Sequence, residues 1–101
     1  MTSEQDLVEF DEAAEQVIEL GNRLLERDEE ADSWDVADGL LAGAVQFWLF
    51  SRQPCGAEYC ETCADMATAE LRLRRLLDEV STLAESSDYF HSPTDANVGN
   101  A

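Results

Sequence analysis

The sequence predicts an all-α protein: a three-helix bundle in which two long helices lie around a short apolar central helix, assembled as a dimer. Three observations carry that prediction. Two segments, near 7–24 and 66–83, repeat apolar residues at spacings of three and four, the period of one helix face. Between them lies a segment that is apolar on two faces and so has to be covered on two sides. Two polar stretches rich in turn-forming residues, "DEEADS" at 28–33 and "RQPCGAEYC" at 52–60, separate the three segments.

Helix 1 is expected over about 4–31. Ser3 suits the N-cap, and Glu4, Asp6 and Glu9 complement the positive end of the helix dipole. The apolar seam is Leu7, Phe10, Ala14, Val17, Gly21 and Leu24, broadened by Val8, Ile18 and Leu25, and the opposite face is mostly carboxylate. Asp32 or Ser33 caps helix 2, which is expected to reach about Ser51. One of its stripes is Trp34, Ala37, Leu41, Ala44 and Trp48; the other is Val36, Leu40, Gly43, Phe47 and Phe50. Gly39 and Gly43 permit a close helix crossing, a packing reason for a residue that otherwise costs helix stability.

Pro54 and Gly56 end helix 2. Helix 3 is expected from Cys60 or Glu61 to about Glu85, with the seam Met66, Ala69, Leu73, Leu76, Val80 and Leu83. Arg72, Arg74 and Arg75 lie within it and are expected to pair with helix 1 carboxylates. Residues 1–91 then form one helical domain, and the aperiodic tail 92–101 is expected to be disordered. At 1.5 Å per residue the three helices measure roughly 39, 28 and 37 Å. A shorter central helix leaves apolar surface on the long ones, which favours a homodimer.

Composition bounds what such a protein does. With 101 residues and 45% hydrophobic content, one folded domain is expected. There are 23 Asp and Glu against 6 Arg and no Lys, a formal net charge of −17. Residues 1–38 hold 14 acids and 2 Arg, so most of the negative field belongs to the N-terminal third. Such a surface repels phosphates and anionic lipid, and neither nucleic acid nor membrane is an expected partner. A mimic that presents carboxylates in place of nucleic-acid phosphates is the third functional reading. In its lack of Lys, its acids and its Ala, Val and Leu, the chain resembles small acidic helical proteins of extreme halophiles, haloarchaea in particular. That resemblance is compositional, spans the whole chain, and implies habitat and a family of unknown function. The start "MTSEQDLVEF" has no basic and apolar leader pattern. The longest apolar run, "GLLAGAVQFWLF" at 39–50, is too short to span a bilayer. A cytoplasmic location is expected.

The one cluster with chemical potential is "CGAEYCETC", residues 55–63. Cys60 and Cys63 form C-x2-C, a common ligand pair, and Cys55 lies on the same loop, so the three suit zinc. A fourth ligand would be His91, beyond a whole helix and within reach from an antiparallel second subunit, or a nearer carboxylate, Glu58 or Glu61. A redox pair at a helix N-terminus is opposed by Glu58, Glu61 and Asp65, which disfavour the thiolate. The C-x4-C-x2-C string resembles three ligands of plant-type ferredoxins over nine residues, without the fourth cysteine. The favoured reading is packing: Cys63 as a small hydrophobe and Cys55 and Cys60 as loop thiols. No Gly-rich phosphate loop is present, and one histidine without any Lys leaves little for acid–base or Schiff-base chemistry. The expected function is a non-enzymatic interaction or regulatory module, a homo-oligomer with an unidentified protein partner and no cofactor. A zinc-binding domain using Cys55, Cys60 and Cys63 is the alternative.

Overall fold

The computed structural model describes residues 4–55 and 64–95. These form three α-helices and one short 3₁₀ turn, with no strand among the described residues. In order they are α1 (Glu4–Arg27), α2 (Ser33–Ser51), the 3₁₀ turn Ala64–Met66, and α3 (Ala69–Glu85). The all-α class read from the sequence is observed. The chain divides into two units, Met1–Phe50 and Ser51–Ala101.

The first unit holds α1 and nearly all of α2. α1 stops at Arg27, four residues before the expected end. The reason is local: the Asp28 carbonyl accepts the Ala31 N–H at 3.0 Å and its carboxylate accepts the Glu30 N–H at 3.0 Å. An Asp that bonds its own neighbouring backbone offers a turn in place of the next helical bond. Arg27 stands in the last helical turn, where a cation suits the dipole. α2 begins as the sequence predicts. The Asp32 carboxylate accepts the Trp34 N–H at 2.9 Å and its carbonyl accepts the Val36 N–H at 3.0 Å, the N-cap arrangement.

α1 and α2 meet at Gly21. A Cβ placed there would lie 3.0 Å from Leu40 Cδ1, a tight contact that glycine leaves room for and that an added methyl would meet by shifting the end of Leu40. Gly21 is buried, and Leu24, Leu25, Val36 and Leu40 are half-buried. Within the unit the expected close crossing does not occur at Gly39 or Gly43: a Cβ at either would meet nothing within 4 Å. The glycine that the packing uses lies on the other helix.

The second unit is built around α3. The helix begins at Ala69, not near Cys60, because Thr68 caps it. Thr68 is extended, at φ −119° and ψ 161°, and its hydroxyl accepts the Leu71 N–H at 3.2 Å. β-Branched Thr is a poor helix-interior residue and a good cap. With 17 residues α3 is shorter than the 19-residue α2, so α2 is not the short helix of the three. The Arg72 guanidinium donates to the Met66 carbonyl at 2.9 Å, and Arg75 lies 3.7 Å from Asp65. Two of the arginines expected to reach helix 1 carboxylates thus bind the 3₁₀ turn just ahead of them. Arg52 lies 3.8 Å from Glu79. Leu76 is 8% exposed, the one large apolar side chain counted as buried among the described residues.

α3 ends at Glu85 as expected, with the Ser86 N–H donating to Thr82 O at 3.2 Å and the Ser87 N–H to Ala84 O at 3.1 Å. Of the tail, residues 92–95 form a capped turn. The Ser92 N–H donates to Asp95 Oδ2 at 2.8 Å and its hydroxyl to Oδ1 at 3.0 Å. Residues 96–101 lie outside the described residues.

Candidate functional site

The cysteine cluster is described only at its first member. Cys55 follows the half-buried Pro54 and is exposed. Glu58, Cys60, Glu61 and Cys63 lie outside the described residues. His91 is exposed, with Nδ1 4.0 Å from Asp95 Oδ2 and its ring edge-on to Phe90 at 4.9 Å. Among the described residues no three His, Cys, Asp or Glu side chains are grouped to hold a metal ion. The Asp95 carboxyl is held below its ordinary value, first by the Ser92 N–H and then by the Ser92 hydroxyl. These two bonds favour the charged carboxylate.

The apolar surface is better defined. From Gly21 the α1 seam continues back through Val17 to Phe10, and from Leu40 the α2 stripe continues on to Phe47 and Phe50. These are the stripes that touch at the Gly21–Leu40 contact, followed away from the connection between the helices. There they are bare: Phe10 is 59% exposed, Phe47 71% and Phe50 72%. Val17, Ile18 and Leu20 are exposed with them. Gly43, Gln46, Phe47 and Phe50, which share one side of α2 by helical spacing, line a groove of about 410 Å³. Glycine at position 43 removes the side chain that would fill it, and the two phenylalanine rings, 6.1 Å apart and tilted by 48°, stand beside it.

The other side of α2 is uneven. Trp34 and Leu41 are exposed while Trp48 is half-buried. On α3, the seam residues Leu73, Val80 and Leu83 are exposed around the buried Leu76. No helix among the described residues is long and apolar enough to cross a membrane. Exposed large apolar side chains are a feature that both units share.

The sequence pattern identifies the seams but not which parts of them are covered. It places Gly21 in the α1 seam between Val17 and Leu24 but does not mark it as the point of contact with α2. Among family models, curated proteins and solved structures, none matches the chain significantly.

Proposed function

We propose that the protein is a non-enzymatic interaction module of the cytoplasm that works as a homo-oligomer, its three helices packed as a bundle that is completed by further copies. One observation supports this reading above the others. The described helices carry large apolar side chains from Val8 to Leu83 that stay exposed, against a single buried leucine, Leu76. Association removes such surface from water at roughly 25 cal/mol per Å². Light scattering in about 1 M salt, where the Debye length falls to about 3 Å, should report about twice the 11.2 kDa chain mass. A single 11.2 kDa species at every concentration would refute the reading.

A second reading, zinc held by Cys55, Cys60 and Cys63, is supported by the ligand-like spacing and by the exposure of Cys55. Elemental analysis of protein purified without chelator tests it. Stoichiometric zinc, lost on replacing any one of the three by serine, would establish the site, because three thiolates on one centre fail together.

A further inference from the structure

We propose that the open end of the α1–α2 hairpin is filled by the same end of a second copy, with α2 lying antiparallel on α2 across Gly43. This deepens the homo-oligomer reading and rests on it; it names the face and the register.

The first support is self-complementarity. A two-fold interface must contain both halves of its own fit, since residue i meets j and j meets i. The α2 face does so. Phe47 and Gly39 are each four residues from Gly43, so an axis at Gly43 sets Phe47 of each copy over Gly39 of the other. Phe50 and Val36, each seven residues away, pair in the same way. Phe47 then meets Gly39, where nothing stands within 4 Å of an added Cβ, and the groove beside Gly43 receives the second helix. Gly39 and Gly43, which weaken α2 and serve no contact inside the unit, acquire a use.

The second support is charge. Residues 39–51 contain no ionisable acid or base in a chain of net charge −17. By helical spacing Glu12, Glu15 and Glu19 point away from the α1 seam. Two copies can therefore meet here with their carboxylates turned outward. A basic partner would be drawn to the carboxylate face of α1 and not to this neutral one.

The third support is area. Phe10, Phe47 and Phe50 are 59, 71 and 72% exposed. An aromatic side chain buries roughly 150–250 Å², so these three display roughly 300–500 Å² per copy and roughly 600–1,000 Å² in a pair. Specific interfaces bury roughly 1,200–2,000 Å² in total. Val17 and Ile18, at 42 and 63% exposure, continue the patch on α1 and carry the sum towards the lower part of that range.

The test is a dilution series by sedimentation and light scattering in about 1 M salt, on the full chain and four variants. Phe47→Asp and Phe50→Asp should each raise the dimer dissociation constant roughly 100-fold, since each places a charge in a central anchor. Gly39→Ala and Gly43→Ala should each raise it roughly tenfold by holding the helices apart. In the dissociated chain the same alanines should increase helical circular dichroism, because alanine favours helix and meets open space. A weaker dimer together with a more helical monomer is the expected signature. A dimer unchanged by Phe47→Asp and Gly43→Ala would overturn this face while leaving self-association standing. A wild-type chain that never dimerises would overturn both.

Discussion

In residues 64–95 the helix is fastened by polar groups close in sequence: Thr68 caps α3, Arg72 reaches the Met66 carbonyl, and Ser92 and Asp95 close a turn. In residues 4–50 the polar groups only mark where helices stop and start, as Asp28 and Asp32 do, and the helices are joined where Gly21 meets Leu40. Polar devices of the first kind are complete within a few residues and need no partner. Apolar seams of the second kind are complete only when another surface covers them. The comparison teaches that a chain of 45% hydrophobic content can have well-defined helices and still leave its largest side chains exposed. In the proposed homo-oligomer the surface to be covered lies on α1 and α2, beside the most acidic third of the sequence.

The largest effect expected from one substitution tests that contrast directly. Leu76→Ala removes the one large side chain buried among the described residues. Buried Leu→Ala changes cost about 2–5 kcal/mol, and here the low end, about 2 kcal/mol, is expected because the neighbours Leu73, Leu77 and Val80 are exposed and the gap opens to water. Phe47→Ala, at a residue 71% exposed, should change the stability of the dissociated chain by no more than about 0.5 kcal/mol. Denaturant midpoints on dilute protein would measure both. Equal losses would mean that Phe47 is as well covered as Leu76 in the monomer, and the contrast between the units would disappear.

A smaller effect is expected at the joint of the hairpin. Gly21→Leu adds a side chain where even a Cβ lies 3.0 Å from Leu40 Cδ1. Overpacking costs about 1–3 kcal/mol, and the gain in helix propensity over glycine returns about 0.8 kcal/mol, leaving a net loss of about 1 kcal/mol. Gly21→Ala should come out near neutral, since the atom that must shift is the flexible end of Leu40 and the propensity gain offsets the shift. Thermal melts of the three proteins would sharpen the comparison. A stabilised Gly21→Leu variant would show that α1 and α2 do not depend on close approach at this point.

What could be read from the sequence follows the same division. The start and end of α2 were legible because Asp32 and the break after Ser51 are strong local signals. So was the end of α3 at Glu85. The end of α1 was not, because a carboxylate run such as Asp28–Glu30 suits a helix surface as well as a turn, and only the Asp28 bonds decide it. The start of α3 was misplaced because apolar spacing runs on through Met66, whereas Thr68 takes an extended backbone. Gly39 and Gly43 looked like the crossing point because paired small residues permit close contact. Which helix takes up the permission depends on packing, and there Gly21 makes the contact. For the candidate site, periodicity identified the apolar stripes, Phe47 and Phe50 included. It could not tell a covered stripe from a bare one, because burial belongs to what lies opposite and not to the stripe itself. Of the cysteine reading, only the exposed Cys55 and His91 lie within the described residues.

The smallest effect expected is confined to the polar side of the comparison. Asp95 is exposed, yet the Ser92 N–H and hydroxyl hold its carboxyl below the ordinary value of 3.8. A carboxyl whose folded value is depressed supports its structure above the unfolded value and withdraws that support as pH falls through the folded one. The turn at 92–95 should therefore keep this support above the ordinary carboxylate range and lose it as pH falls through the lowered folded value. His91 adds little, since its contact with Asp95 is 4.0 Å and exposed. The Ser92 amide proton followed by NMR should report an acid transition with its midpoint below 3.8, and Asp95→Asn should remove it. Because the bonds involved span only three residues, Asp95→Asn at neutral pH should alter neither the melting of α1 and α2 nor the dimer dissociation constant. A midpoint at or above 3.8 would show that the Ser92 bonds do not persist in solution. A loss of dimer caused by Asp95→Asn at neutral pH would show that the tail belongs to the interface, and the separation of local polar devices from partner-seeking apolar ones would fail at that point.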